Sequence, residues 1–273
     1  MTSDLFGKDS SALREKRLFL FDLDGTIYED YRVFDGTIEL LHWIHEVGGE
    51  YCFITNNSSK SVNDYLAKMK KMKIPAGDIN FFTSSQATAL YLIERYKEKC
   101  IYCVGTKSLL KELQDYGLHV CTNKESNPDV VVVGFDTELT YKKLQDTCEL
   151  LFRGLPYIAT NPDKACPTSF GFIPDCGAIC EAIYFATQKR PLYIGKPEPI
   201  MVEYVLKKLS CSKEETVIIG DRLYTDIMTG INARVDTICV LTGETKWDDL
   251  CDSDIKPDYV FKDVQQIYQT VVS

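Results

Sequence analysis

Eight short apolar runs recur along the chain, at 18–21, 51–54, 101–104, 130–133, 157–159, 192–194, 217–219 and 237–241, with longer stretches between them. Each run is bounded by Gly, Asp, Asn or Thr and reads as a buried strand. The stretches between them, at about 36–47, 62–72, 86–96, 109–116, 142–152, 178–187, 199–209 and 226–233, read as helices. In the first of these, Ile38, Leu41 and Ile44 recur at helical spacing, and Leu40 and Val47 widen the stripe. Strand–helix alternation requires crossover connections, which are right-handed and join parallel strands. The fold class is therefore α/β, built on parallel sheet.

At 273 residues the chain suffices for one large domain or two modest ones. No run of about 18 apolar residues occurs, so no membrane span is expected. Residues 1–16 are polar and mixed in charge, without the apolar core of a signal peptide, and read as a loosely ordered lead-in. The net charge of −9 (31 basic against 40 acidic residues) argues against a nucleic-acid binder, which needs a basic face to displace counterions. Eleven cysteines, an odd number without a signal peptide, read as reduced and mostly buried thiols of a cytoplasmic protein. Cys100 and Cys103 match C-x-x-C, but they lie in a strand-like run, where residues three apart face opposite ways. Lys68, Lys70, Lys71 and Lys73 cluster near a helix end, where cations suit the dipole, and read as a solvated group. His42 and His45 flank Trp43 on an amphipathic helix and read as structural.

The chemistry concentrates at strand ends. The first run passes directly into Asp22-Leu23-Asp24-Gly25-Thr26. In extended backbone Asp22 and Asp24 share a side, so both carboxylates leave the carboxyl end of the strand, where open α/β sheets bind ligands. Paired carboxylates repel each other, and a hard divalent cation relieves that repulsion. Asp and Gly also make ordinary turns, so the pair alone leaves both readings open. Other strand ends add to it. The second run ends in Thr55-Asn56-Asn57-Ser58, another in Gly195-Lys196-Pro197, and another in Gly220-Asp221 with Asp226 close behind. Carboxylate pairs, a hydroxyl and an ammonium thus occupy the same kind of position on four strands, which turn propensity alone does not require.

These residues, in this order, resemble the four motifs of the haloacid-dehalogenase (HAD) superfamily of phosphohydrolases. The stretches ITNNSS at 54–59, TSSQATA at 83–89, ATNPD at 159–163, IGKPEP at 194–199 and GDRLYTDI at 220–227 are similar to the NagD-like branch, class IIA, with its p-nitrophenyl-phosphatase and phosphoglycolate-phosphatase types. The likeness runs from about residue 17 to the end, with no departure at a motif position.

The resemblance implies a Rossmann-like HAD core with a smaller α/β cap inserted in it. About 140 residues separate Thr55 from Lys196, more than one crossover needs. The core is placed at 1–83 and 188–273, and the cap at 84–187. It also implies a magnesium-dependent phosphomonoesterase in which Asp22 is the nucleophile and Asp24 the acid and base. Asp22, the Asp24 carbonyl and Asp221 would ligate Mg2+; Thr55, Asn56 and Lys196 would bind the phosphoryl group; Asp226 and Thr26 would support them. Arg222 is read as solvated. Asn161, Asp163 and Gly177, in the loop with Asp175 and Cys176, are candidates for leaving-group contacts, although turn chemistry accounts for the same residues. The expected partner is a small phosphate ester, not nucleic acid or membrane, and the resemblance also allows a cap-mediated homodimer. The alternatives are a phosphomutase, which returns the phosphoryl group to a sugar, and a non-catalytic phosphate-binding regulator. A metal-free dehalogenase would need no acid at position 24.

Overall fold

The computed structural model describes residues 3–168 and 170–273. The chain divides into two compact units. One comprises the described residues through Thr55, Asn63–Phe82 and Lys196–Ser273; the other comprises Asn56–Val62 and Thr83–Gly195.

The first unit carries a six-stranded sheet in the spatial order Tyr259–Phe261, Asp236–Val240, Thr216–Gly220, Leu18–Phe21, Glu50–Thr55, Phe81–Thr83. The pairings from Tyr259–Phe261 through Glu50–Thr55 are parallel, as the alternating pattern requires. Leu18–Phe21 lies at the centre, paired on both sides, and all four of its side chains are buried. Phe21, Phe53 and Phe81 pack as tilted neighbours across three strands, at centroid separations of 6.3 and 5.2 Å. This central strand, apolar on both faces, runs directly into Asp22 at its carboxyl end.

The segment before this strand, read from sequence as loosely ordered, is tied down instead. Leu5 donates to the carbonyl of Val260, and Asp4 accepts from the Val260 amide. Tyr259–Phe261 is the edge of the sheet, and an edge leaves backbone groups that need partners. Leu13 is then wholly buried.

The second unit has its own parallel sheet, in the order Leu192–Tyr193, Tyr157–Ala159, Val130–Val133, Cys100–Val104, His119–Cys121, and a separate antiparallel hairpin of Ala165–Thr168 with Gly171–Pro174. Leu192–Tyr193 pairs with Tyr157–Ala159, so this strand belongs to the second unit, although the sequence boundary at 187/188 assigns it to the core. A two-residue strand has no sequence signal for which sheet it joins. No helix among the described residues is long and apolar enough to cross a membrane, and no disulfide joins any of the eleven cysteines.

Candidate active site

Three strand ends of the first unit converge on one cluster. Asp22 extends the parallel ladder by one step, its amide donating to Ile219 O at 2.8 Å. Its Oδ1 accepts from Lys196 Nζ at 2.5 Å. The same ammonium donates to Asp226 Oδ1 at 2.6 Å and to the Ile54 carbonyl at 3.3 Å. Lys196 is only 3% exposed, so all three of its protons are directed within the cluster. Carboxylate oxygens of Asp22, Asp221 and Asp226 lie within 4.8 Å of one another.

Three largely buried carboxylates face the Lys196 ammonium and feel the Arg222 guanidinium, which still leaves the cluster one positive charge short. Burial pushes the Asp22 carboxyl up to about 8; Lys196 pulls it down, while Asp226 and Asp221 add to the rise. Burial also raises Asp221, to about 6, with Asp226 contributing and the Glu244 amide opposing. Burial opposes the charge on Lys196, but Asp22 and Asp226 outweigh it and raise its pKa. Hard oxygen donors at this spacing, with a deficit of cationic charge, fit Mg2+.

The second aspartate of the motif serves other partners. Asp24 is about half exposed, with Oδ1 3.3 Å from Lys68 Nζ and Oδ2 accepting from Tyr28 OH at 3.4 Å. Gly25, at φ +89°, turns the chain from the half-exposed Asp24 back to the buried Thr26. Thr26 is wholly buried and donates through Oγ1 to Asp221 Oδ1 at 3.3 Å. Thr55 ends its strand in a buried position. Asp226, in the helical turn Leu223–Ile227, gives one oxygen to Lys196 and accepts the Arg222 amide with the other.

Several contributors were not legible in the sequence. The loop after Asp236–Val240 encloses Asp221: Glu244 N donates to Asp221 Oδ2 at 2.6 Å, Thr245 N to the Asp221 carbonyl at 3.1 Å, and Thr242 Oγ1 to the Gly25 carbonyl at 2.6 Å. A Cβ on Gly243 would lie 1.9 Å from Asp221 Oδ2, so only glycine admits this approach. The one available signal was the Thr-Gly-Glu-Thr turn at the end of a further strand. Arg222, read as solvated, is partly buried; its Nε lies 3.0 Å from Glu244 Oε2 in an ion pair. Lys68 also departs from the solvated reading, with its side chain 18% exposed, whereas Lys70, Lys71 and Lys73 do face solvent.

The remaining candidates lie in the second unit and form a hydrogen-bonded knot. Asn56 Nδ2 donates to Asp163 Oδ2 at 2.7 Å, and Asn161 Nδ2 to Asp163 Oδ2 at 3.0 Å and Asp175 Oδ1 at 3.1 Å. Asn161 is wholly buried, and its Oδ1 accepts from Thr160. The Gly177 amide donates to the Asp163 carbonyl at 2.7 Å, and a Cβ there would lie 2.1 Å from Pro162 O. Polar groups committed in this way hold the Asn-Pro-Asp turn against the start of the helix Cys176–Thr187.

The chain matches the haloacid dehalogenase-like hydrolase family over residues 19–119 and the HAD-hydrolase-like family over residues 193–267. An acid sugar phosphatase from Staphylococcus haemolyticus is 36% identical over 90% of this chain and 93% of its own length. The crystal structure of a 4-nitrophenylphosphatase from Thermotoga maritima is 40% identical and superposes with a TM-score of 0.91, covering 95% of this chain and 99% of that one. NagD from E. coli K-12 is 32% identical, with a TM-score of 0.85 over 92% of this chain and 98% of that one. Family match, relatives and strand-end aspartates agree: the chain belongs to the haloacid-dehalogenase superfamily, in its NagD-like branch, and is a phosphatase that hydrolyses phosphoric monoesters.

Proposed function

We propose that the protein is a magnesium-dependent phosphomonoesterase that cleaves a small phosphorylated metabolite in the cytoplasm through a phosphoaspartyl intermediate on Asp22. The observation that carries this reading is the position of Asp22. It stands at the exit of the central strand, ion-paired to Lys196 and beside two further carboxylates.

Asp22 Oδ attacks phosphorus as the bond to the leaving oxygen breaks, and Asp24 donates a proton to that oxygen. Asp24 then takes a proton from water, whose oxygen attacks the phosphorus of the phosphoaspartate. Inorganic phosphate departs and Asp22 is regenerated. Lys196 orients Asp22 and offsets charge on the phosphoryl oxygens, and Thr55 at the neighbouring strand end supplies a hydroxyl donor. Asp226 keeps Lys196 in place, and Thr26 and the Glu244 amide keep Asp221 in place. Asp22, Asp221 and the Asp24 carbonyl would hold Mg2+, which when bound neutralises phosphoryl charge and keeps Asp22 ionised. By family likeness the inserted unit selects the leaving group, and the acid sugar phosphatase among the relatives makes sugar phosphates the first class to assay.

The test is hydrolysis of p-nitrophenyl phosphate by the purified chain with Mg2+. Asp22→Asn is expected to abolish turnover while leaving the circular dichroism spectrum that of a folded protein. Wild-type turnover in that variant would overturn the nucleophile assignment. A panel of sugar phosphates and nucleotides then identifies the preferred ester by kcat/KM.

A further inference from the structure

Asp24 has a task that a freely turning side chain performs poorly. Its carboxyl must meet the leaving oxygen in one half-reaction and a water in the next, and misplacement by about 1 Å costs on the order of a hundredfold in rate. Yet Asp24 lies outside the buried cluster, about half exposed and beyond the last residue of its strand.

Two side chains remove that freedom. Tyr28 is wholly buried on the short hairpin Tyr28–Glu29/Arg32–Val33, and its hydroxyl donates to Asp24 Oδ2 at 3.4 Å. Lys68 reaches from the helix Val62–Met72 to place its ammonium 3.3 Å from Oδ1. The ammonium is itself held, 3.9 Å from the centroid of the Tyr28 ring and 5.7 Å from that of Tyr31. An ammonium over aromatic faces is attracted by their quadrupoles and is confined by them. Each Asp24 oxygen therefore has one donor from the protein and retains lone-pair capacity for a proton in transit. The backbone reinforces the arrangement, because Gly25 N donates to the Tyr28 carbonyl at 2.8 Å. An ion pair with one half-exposed partner contributes little to stability, so folding does not account for this bridging of helix, hairpin and motif loop.

We infer that Lys68, seated on Tyr28, is a positioning residue that fixes the Asp24 carboxyl for proton transfer to and from the reacting oxygens. This rests on the acid and base role proposed for Asp24. Lys68 exchanges no proton with substrate; it acts through Asp24.

Leaving-group dependence separates positioning from general damage, because kcat/KM reports only the steps through phosphoryl transfer to Asp22. p-Nitrophenolate departs without a proton, whereas the alkoxide of glycerol phosphate does not. Wild type, Lys68→Met, Lys68→Arg, Tyr28→Phe and Asp24→Asn are compared with Mg2+ on both esters. General acid catalysis contributes on the order of 10²–10⁴-fold, and Lys68→Met is expected to lose about tenfold or more in kcat/KM on glycerol phosphate. On p-nitrophenyl phosphate it should lose about twofold or less, with the melting temperature within about 2 °C of wild type. Lys68→Arg should recover most of the loss, and Tyr28→Phe, which removes one hydroxyl, should show the same discrimination more weakly. Equal losses on both esters, or none, in Lys68→Met and Tyr28→Phe would overturn the inference. If Asp24→Asn discriminates between the esters and the Lys68 variants do not, only Lys68 loses its role. If Asp24→Asn does not discriminate, the acid assignment fails and the inference falls with it.

Discussion

Lys196 Nζ and Asp22 Oδ1 stand 2.5 Å apart, with the Lys196 side chain 3% exposed and that of Asp22 15% exposed. A charge buried this deeply persists only while its partners remain, since removing one member of a buried pair costs about 3–5 kcal/mol. Asp226 shares the same ammonium. Lys196→Met is therefore expected to leave two buried carboxylates unpaired, reducing kcat by about 10²–10³-fold and also lowering the urea midpoint. Steady-state kinetics together with urea denaturation check both effects. Retention of either near wild-type would show that the ammonium is not the keystone of the cluster.

The titration of the cluster sets a pH dependence with a definite sign. Asp22 and Asp221 have folded-state pKa values of about 8 and about 6, both raised from 3.8. As pH rises past 3.8 the unfolded chain releases these protons while the folded chain retains them. Stability contributed by the protonated carboxyls is thus lost as pH climbs through about 6 and about 8. On the proposed ligation Mg2+ competes with those protons, so its stabilising shift in melting temperature should be larger at pH 8 than at pH 5.5. Thermal melts in EDTA and in Mg2+ at both pH values measure this, and an equal shift would refute it.

Gly243 packs against the Asp221 carboxylate, where an added Cβ would lie 1.9 Å from Oδ2. Gly243→Ala must displace either the loop or Asp221, the proposed ligand, at a cost of about 1–3 kcal/mol for overpacking. The Mg2+ concentration giving half-maximal activity should then rise by about tenfold, within the range seen when groups that orient a ligand are lost. Magnesium titrations of activity and of thermal shift provide the measurement, and an unchanged midpoint would detach this loop from the ligand.

The sequence carried the class of fold and the positions of its main strands along the chain, but not their order in the sheets. Parallel strands buried on both faces are nearly continuous apolar runs, and short β-branched or aromatic runs such as Leu18–Phe21 and Val130–Val133, bounded by turn residues, read that way. The strand-end positions of Asp22, Thr55 and Asp221 followed for the same reason, because a polar residue ending such a run lies at the carboxyl end of the sheet. Lys196, by contrast, follows a strand of the second unit's sheet. Less was legible where the signal is short or shared. Leu192–Tyr193 is too brief to declare its sheet, and the N-terminal segment is ordered by an edge strand far away in sequence.

Lys68 shows the limit most clearly. By composition it is one of four lysines near a helix end, and nothing local separates it from Lys70 or Lys71. Only the packing of that helix beside Tyr28 brings its ammonium to Asp24, and only the turn after Asp236–Val240 brings Glu244 to Asp221. Sequence alone determined which residues have the chemistry for phosphoryl transfer, because that chemistry is fixed by residue type and strand position. Which neighbours hold them was decided by tertiary structure, because distances between residues tens or hundreds of positions apart are set by packing and not by local pattern.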